Sequence, residues 1–176
     1  MSSSDRAFRR PGILLALAAL MTVAACTMQP LYGRLPSGRA VGGVLSQISI
    51  DPVNDRVSQE VRNQLLFLLS GNGADATSPV YRMTLNVSFV ESALGITPVA
   101  SAPAYSVAVT ASYQVTAIAT GKIVLRDTSR GTTSYDRINQ AYANSRAALD
   151  AQNRAAEVVA EDIRTRLAAA VAKGTL

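Results

Sequence analysis

Histidine and tryptophan are absent from this 176-residue chain, and cysteine occurs once, at Cys26. Each absence removes a class of chemistry. With no histidine and one thiol, a Cys/His zinc site cannot form, and a serine or cysteine nucleophile has no imidazole base. A single cysteine also rules out a disulfide within the chain. What remains for catalysis is a set of carboxylates, Lys122, Lys173 and the tyrosines, and the carboxylates are scattered along the sequence without a recognisable pair. The chain therefore reads as non-enzymatic, with no catalytic residues, no metal site and no cofactor.

Long apolar runs are scarce too. The one that stands out, Ile13 to Ala25, follows Arg6, Arg9 and Arg10 and precedes the cysteine. Its thirteen residues would rise about 20 Å as a helix against a hydrocarbon core of about 30 Å, too short to span. A basic start, a short apolar stretch and small residues at a cut site make residues 1–25 a secretory signal. Val23-Ala24-Ala25-Cys26 is similar to a bacterial lipobox, in which the cysteine thiol takes a diacylglycerol and cleavage frees its amino group for a further chain. Two or three acyl chains, at roughly 0.8 kcal/mol per buried methylene, hold a protein durably at a membrane. Thr27 in place of Asp after the cysteine favours export to the outer membrane in the sorting pattern this resembles, with the lipid in the periplasmic leaflet.

The formal net charge is +5 for the whole chain, and removing residues 1–25 leaves 14 basic against 11 acidic residues, or +3. So slight an excess does not imply nucleic acid as a partner. Residues 26–43 are rich in Gly, Pro and Arg and read as a tether. Residues 44–176 read as one domain, about the size a single core supports.

Alternation predicts a strand over Val44 to Val53. Asn54-Asp55 offers an N-cap, Val57, Val61, Leu65, Leu68 and Leu69 recur at helical spacing, and Gly71 and Gly73 close the helix. Tyr81, Met83, Leu85, Val87 and Phe89 then alternate with Arg82, Thr84, Asn86 and Ser88. Tyr105 to Ala117 repeats the pattern, with Thr110, Ser112 and Gln114 on the polar side. Ala93 to Pro103 reads as a loop. Thr120-Gly121-Lys122 is a turn into a third, less regular run, Ile123 to Tyr135, where Gly131 marks a bulge or the end of pairing. From Asn144 or Ser145 to Gly174 the chain has neither Gly nor Pro and predicts a helix. Its stripe, Ala148, Ala151, Ala155, Val159, Ile163, Leu167 and Val171, is so rich in alanine that a close approach to the sheet is expected. Asp150 with Arg154, and Asp162 with Arg166, supply i,i+4 pairs. The fold class is α+β: a two-layer sandwich in β-α-β-β-β-α order, a sheet of about four strands under two helices, its other face polar.

Three local sequences carry a resemblance: Cys26-Thr-Met-Gln-Pro-Leu-Tyr-Gly33, Val61-Arg62-Asn63-Gln64-Leu65, and Tyr142-Ala-Asn-Ser-Arg-Ala-Ala-Leu-Asp150 with Arg154-Ala-Ala-Glu157. Their order and spacing resemble those of the LptE-type lipopolysaccharide-assembly lipoproteins. The resemblance implies a plug in the lumen of a large outer-membrane β-barrel, the LptD partner, that assists assembly of that barrel and takes part in carrying lipopolysaccharide to the outer leaflet. It also implies direct contact with lipopolysaccharide through basic residues near one end of the sheet, for which Arg82, Lys122, Arg126 and Arg130 are the candidates. The loop from Ala93 to Ala104 departs from that pattern by having no basic residue. Barrel contacts would come from Arg62, Asn63, Thr110, Ser112 and Gln114. Two other classes share some of these features: an auxiliary lipoprotein of an ABC-type lipid transporter, and a periplasmic hydrolase in which two acids converge in a cleft.

Overall fold

The computed structural model of the chain describes residues 40–94 and 104–176. Helix α1 (Val41–Leu45) leads into strand β1 (Ile48–Ile50), and helix α2 (Arg56–Ser70) follows. Three strands of fourteen residues come next, β2 (Tyr81–Leu94), β3 (Ala104–Ala117) and β4 (Ile123–Asp136), and helix α3 (Ala141–Ala172) ends the fold. They form one four-stranded sheet in the order β1-β2-β3-β4, with β1 parallel to β2 and the other pairs antiparallel. Both long helices pack on one face. The α+β two-layer arrangement expected from the pattern is the one observed, with α1 added.

The first strand is a correction. Instead of running from Val44 to Val53, it holds only Ile48–Ile50, and Val44 and Leu45 belong to α1, where they are buried with Val41. Alternation alone could not separate these states, because a five-residue helix and a short strand bury similar sets of apolar side chains. Helix α2 obeys its local signals. Asp55 caps it by accepting the Ser58 N–H at 2.9 Å, and Gly71, at φ 76°, supplies the left-handed residue that ends it. Its stripe of Val57, Val61, Leu65, Leu66 and Leu69 is buried.

Helix α3 begins at Ala141, earlier than expected. Gln140 gives it no side-chain cap, and Asn144, which looks like a cap in sequence, instead clamps the linker ahead of it: its carboxamide accepts the Ile138 N–H at 2.8 Å and donates to the Ile138 carbonyl at 2.7 Å. The alanine stripe does bring α3 close. Ala151, Ala155, Val159, Ile163 and Leu167 have no exposed surface, while Ala148, at the start of the stripe, is only half-buried. Gly131, opposite them, is neither bulge nor terminus. It pairs with Val109 in unbroken register, and the sheet's one irregularity lies at Val115/Thr116. A Cβ on Gly131 would stand 2.6 Å from the Ala155 carbonyl oxygen, so glycine is there to admit the helix.

That approach also explains the irregular pattern of β4. From Ser129 to Thr133 its helix-facing residues are small because they meet helix backbone and an acid. Thr133 donates to the Ala151 carbonyl at 2.7 Å, Ser129 to Asp162 at 2.7 Å, and Arg166 donates to Asp127 at 2.8 Å. The first two satisfy polar groups that burial would otherwise make costly, while the Arg166–Asp127 pair is exposed.

Candidate functional site

The helices cover one face of the sheet and leave the other open. Strand alternation puts on that open face Arg82, Thr84, Asn86 and Ser88 of β2, Thr110, Ser112 and Gln114 of β3, and Arg126, Thr128 and Arg130 of β4. These side chains tie to one another across the strands. Arg126 donates to the Gln114 carboxamide oxygen at 2.6 Å, and the Ser112 and Thr128 hydroxyls lie 3.1 Å apart. Thr84 donates to Asp51 at 3.2 Å, and Arg82 lies 3.8 Å from the same carboxylate. A shallow depression of about 250 Å³ opens among Thr84, Asn86, Ser112, Gln114 and Arg126.

The expected residues divide between this face and the rest of the molecule. Thr110, Ser112 and Gln114 stand in one row along β3, paired respectively with Arg130, Thr128 and Arg126. Arg82 and Arg126 lie toward the end of the sheet where β3 turns into β4, and exposed Lys122 sits in that turn, its carbonyl accepting the Ala117 N–H at 2.9 Å. Arg130 is four residues beyond Arg126, roughly 13 Å along the strand. The four cations are spread over β2, the β3–β4 turn and β4, with Arg82 beside Asp51 and Arg126 bonded to Gln114.

Arg62 and Asn63 are elsewhere. Arg62 is a strut of the fold: its guanidinium donates to the Ile50 carbonyl at 3.2 and 3.1 Å and pairs with Asp75 at 2.6 Å, and Asp75 in turn accepts the Ile50 N–H at 3.3 Å. Asn63 is exposed on α2, in the helix layer on the opposite side from Thr110. Cys26 lies outside the described residues.

Among the described residues two acids of the helix-covered side meet at a cation. Asp127 and Asp162 converge, but on Arg166, which donates to each at 2.8 Å, and that hydrogen bond holds Asp127 below the usual carboxylate range. The hydroxyl of Ser58 does the same for Asp55. Two phenols shift the other way: burial pushes Tyr113 up to about 12, and burial with a hydrogen bond to Glu91 raises Tyr135 to about 12. At neutral pH Asp55 and Asp127 are charged and Tyr113 and Tyr135 neutral, and none of these four is poised near the working range of a general acid or base.

The sequence left one cluster unread. Tyr105 and Tyr135 stack with ring centroids 5.7 Å apart, and the Arg137 guanidinium sits 4.8 Å over the Tyr105 ring. These side chains meet only once the β3–β4 register is set.

The class this fold and face define is a two-layer α+β scaffold with one sheet face under helices and the other open, polar and carrying several cations. The family model for LptE, lipopolysaccharide-assembly, matches residues 45–167, and the chain belongs to that family. Among solved structures it is similar to a lipoprotein from Caulobacter crescentus CB15, at 23% identity and a TM-score of 0.65, over 76% of this chain and 96% of that one. It is also similar to rare lipoprotein B from Shewanella oneidensis, at 17% identity and a TM-score of 0.56, over 74% and 98%. A minor lipoprotein from Acinetobacter baumannii follows at 14% and 0.54, over 69% and 88%. These structures share the fold. No curated protein sequence matches. Among the described residues no helix is long and apolar enough to cross a membrane.

Proposed function

We propose that this chain is a non-enzymatic lipoprotein of the outer membrane that plugs an LptD-type β-barrel, assists its assembly and takes part in moving lipopolysaccharide to the outer leaflet. Membership of the lipopolysaccharide-assembly family carries the transport role. The observation that carries the plug role is the open sheet face. Thr84, Asn86, Ser88, Thr110, Ser112 and Thr128 offer donors and acceptors over three strands, and barrel lumens are lined by polar side chains that can answer them. An interface of this kind is held by hydrogen bonds and bridging water more than by apolar burial.

In this reading Cys26 carries the lipid in the periplasmic leaflet, the tether ends before α1, whose Val41 is already part of the core, and Thr110, Ser112 and Gln114 face the barrel wall. Arg82, Lys122, Arg126 and Arg130 take the phosphates of lipopolysaccharide. Arginine suits them as a fork that grips phosphate oxygens in pairs. Arg126 is already oriented by Gln114, which lowers the entropy it loses on binding. The test is recovery of tagged lipoprotein from detergent-solubilised outer membrane. A barrel protein of much larger mass should come with it. Recovery alone, or with inner-membrane ATPase subunits, would overturn the reading.

A further inference from the structure

Strand β1 is short, and its shortness leaves most of one sheet edge bare. It pairs with Tyr81–Met83 alone, whereas β2 runs on to Leu94. The last bond across that edge is from the Asp51 N–H to the Met83 carbonyl at 2.9 Å. Because that carbonyl points to the β1 side and strand residues alternate, the N–H and C=O groups of Leu85, Val87, Phe89, Glu91 and Ala93 point the same way. Among the described residues none of these ten groups has a hydrogen-bond partner.

Elsewhere the sheet protects its edges. On β1 the outer N–H and C=O of Ile50 are taken by Asp75 and Arg62. On β4 the register shifts opposite Val115/Thr116, and Arg126, Asp127, Arg130 and Asp136 add charge. The edge of β2 from Thr84 to Leu94 has no lysine, no proline and no bulge, and its one charge, Glu91, accepts from Tyr135. Phe89, Val90 and Leu94 there are 45%, 65% and 47% exposed. A long, unblocked edge with exposed apolar side chains invites pairing with another chain, and natural sheets commonly block such an edge.

Space for a strand is present. An open groove of about 330 Å³ runs between this edge and the Pro52–Asp55 segment with Ser58, floored by Thr84 to Val87. It shares Thr84 and Asn86 with the depression on the polar face. The edge and the face are therefore one continuous surface, and a partner seated on the face reaches the edge.

We infer that β2 accepts an added strand from the barrel partner, an extended uncharged segment whose apolar side chains lie beside Leu85, Val87 and Phe89 and whose polar ones lie beside Thr84, Asn86 and Ser88. Main-chain bonds to the open groups would give affinity, and the alternation would give register. The inference rests on the plug reading. The segment before Ala40 suits the role poorly, since Pro30, Gly33, Pro36 and Gly38 interrupt it.

Two measurements on the full-length lipoprotein, with and without its barrel, test it. In hydrogen exchange the amides of Val87, Phe89 and Glu91 should exchange freely in the lipoprotein alone and slow by at least about tenfold in the complex, as pairing replaces solvent. Second, Val87→Pro removes an amide that points off the edge, so it should leave the domain folded yet cut barrel recovery about tenfold. Ser88→Pro, which breaks the β2–β3 ladder, should unfold it. Unchanged exchange at all three amides in a complex that does form would overturn the strand addition and leave the plug reading standing. A photo-crosslink from position 89 to a second copy of this chain would overturn it in favour of self-pairing. No barrel with the unaltered lipoprotein would remove the plug reading itself.

Discussion

Gly131→Ala adds one methyl group, and the fold has no room for it. The new Cβ would lie 2.6 Å from the Ala155 carbonyl oxygen, 3.0 Å from Val159 Cγ2 and 3.2 Å from Val158 Cβ. A carbon needs about 3.3 Å from a carbonyl oxygen, so α3 must lift by roughly 0.7 Å at this point. A gap of that size forfeits a quarter to a half of the dispersion energy of the contacts it opens, and Ala151, Ala155 and Val159 all sit fully buried along the same seam. Overpacking of a well-filled core costs about 1–3 kcal/mol, and backbone contact puts this case near the top of that range. Restricting the unfolded chain returns up to about 1 kcal/mol. The net loss is about 2 kcal/mol, a fall in melting temperature of roughly 6–10 °C for a domain of this size. Thermal unfolding followed by circular dichroism reads it directly.

Because the worst contact is with backbone, Val159→Ala should recover only a minor part of the loss. Gly131→Val, with a branched Cβ, should cost more than alanine. An unchanged or raised melting temperature in Gly131→Ala would show that the helix rides the sheet loosely and that glycine is there for another reason. Full rescue by Val159→Ala would move the constraint from the Ala155 carbonyl to a side chain.

Three further outcomes follow from the same geometry. Val109→Asp places an unpaired charge at a position with no exposed surface and should unfold the domain, whereas Thr110→Asp should melt within a few degrees of wild type and weaken barrel recovery. Asp55→Ala removes the α2 cap and should cost about 1 kcal/mol in urea unfolding. Since the Asp55 carboxyl is held below its ordinary value, its contribution is present above about pH 4 and is lost as pH falls through the lowered value; Asp55→Asn keeps the cap and should lose less stability between pH 5 and pH 2 than wild type. Arg62→Ala frees the Ile50 carbonyl and Asp75 and should cost about 1–2 kcal/mol, and Arg62→Lys should recover only part, because an ammonium cannot reach both acceptors with the fork geometry.

What the sequence disclosed depended on whether a residue's role was local. Helix α2 could be read from Asp55, its 3,4 spacing and Gly71, because a cap, a stripe and a left-handed terminus each act within a few residues. Strands β2 and β3 were legible for the same reason, their alternation being set by which face is buried. The polar face followed at once: Thr110, Ser112 and Gln114 could be placed together before any pairing was known. Strand β4 resisted, since Ser129, Gly131 and Thr133 are chosen by contacts with residues 18 to 33 positions away on α3. Arg62 resisted equally. On a helical wheel it is a surface cation, and only the path of β1 and the loop carrying Asp75 turns it into a strut.

The two edges of the sheet bear on how such a domain works with a partner. Side chains spent on Ile50 show that an edge as short as β1 is closed at the cost of an arginine and an aspartate. The longer edge of β2 has no such protection, although one lysine would close it against other chains. Substituting Val90 with lysine would therefore add a charge at an exposed position without disturbing the core, and it should leave melting almost unchanged. If that edge is kept open for a partner strand, the same lysine should weaken barrel recovery, whereas lipopolysaccharide binding by the lipoprotein alone, which the proposed function gives to Arg82, Arg126 and Arg130, should be unchanged. Loss of the first without the second would assign holding the barrel to the β2 edge and the polar face, and meeting the lipid to the cations.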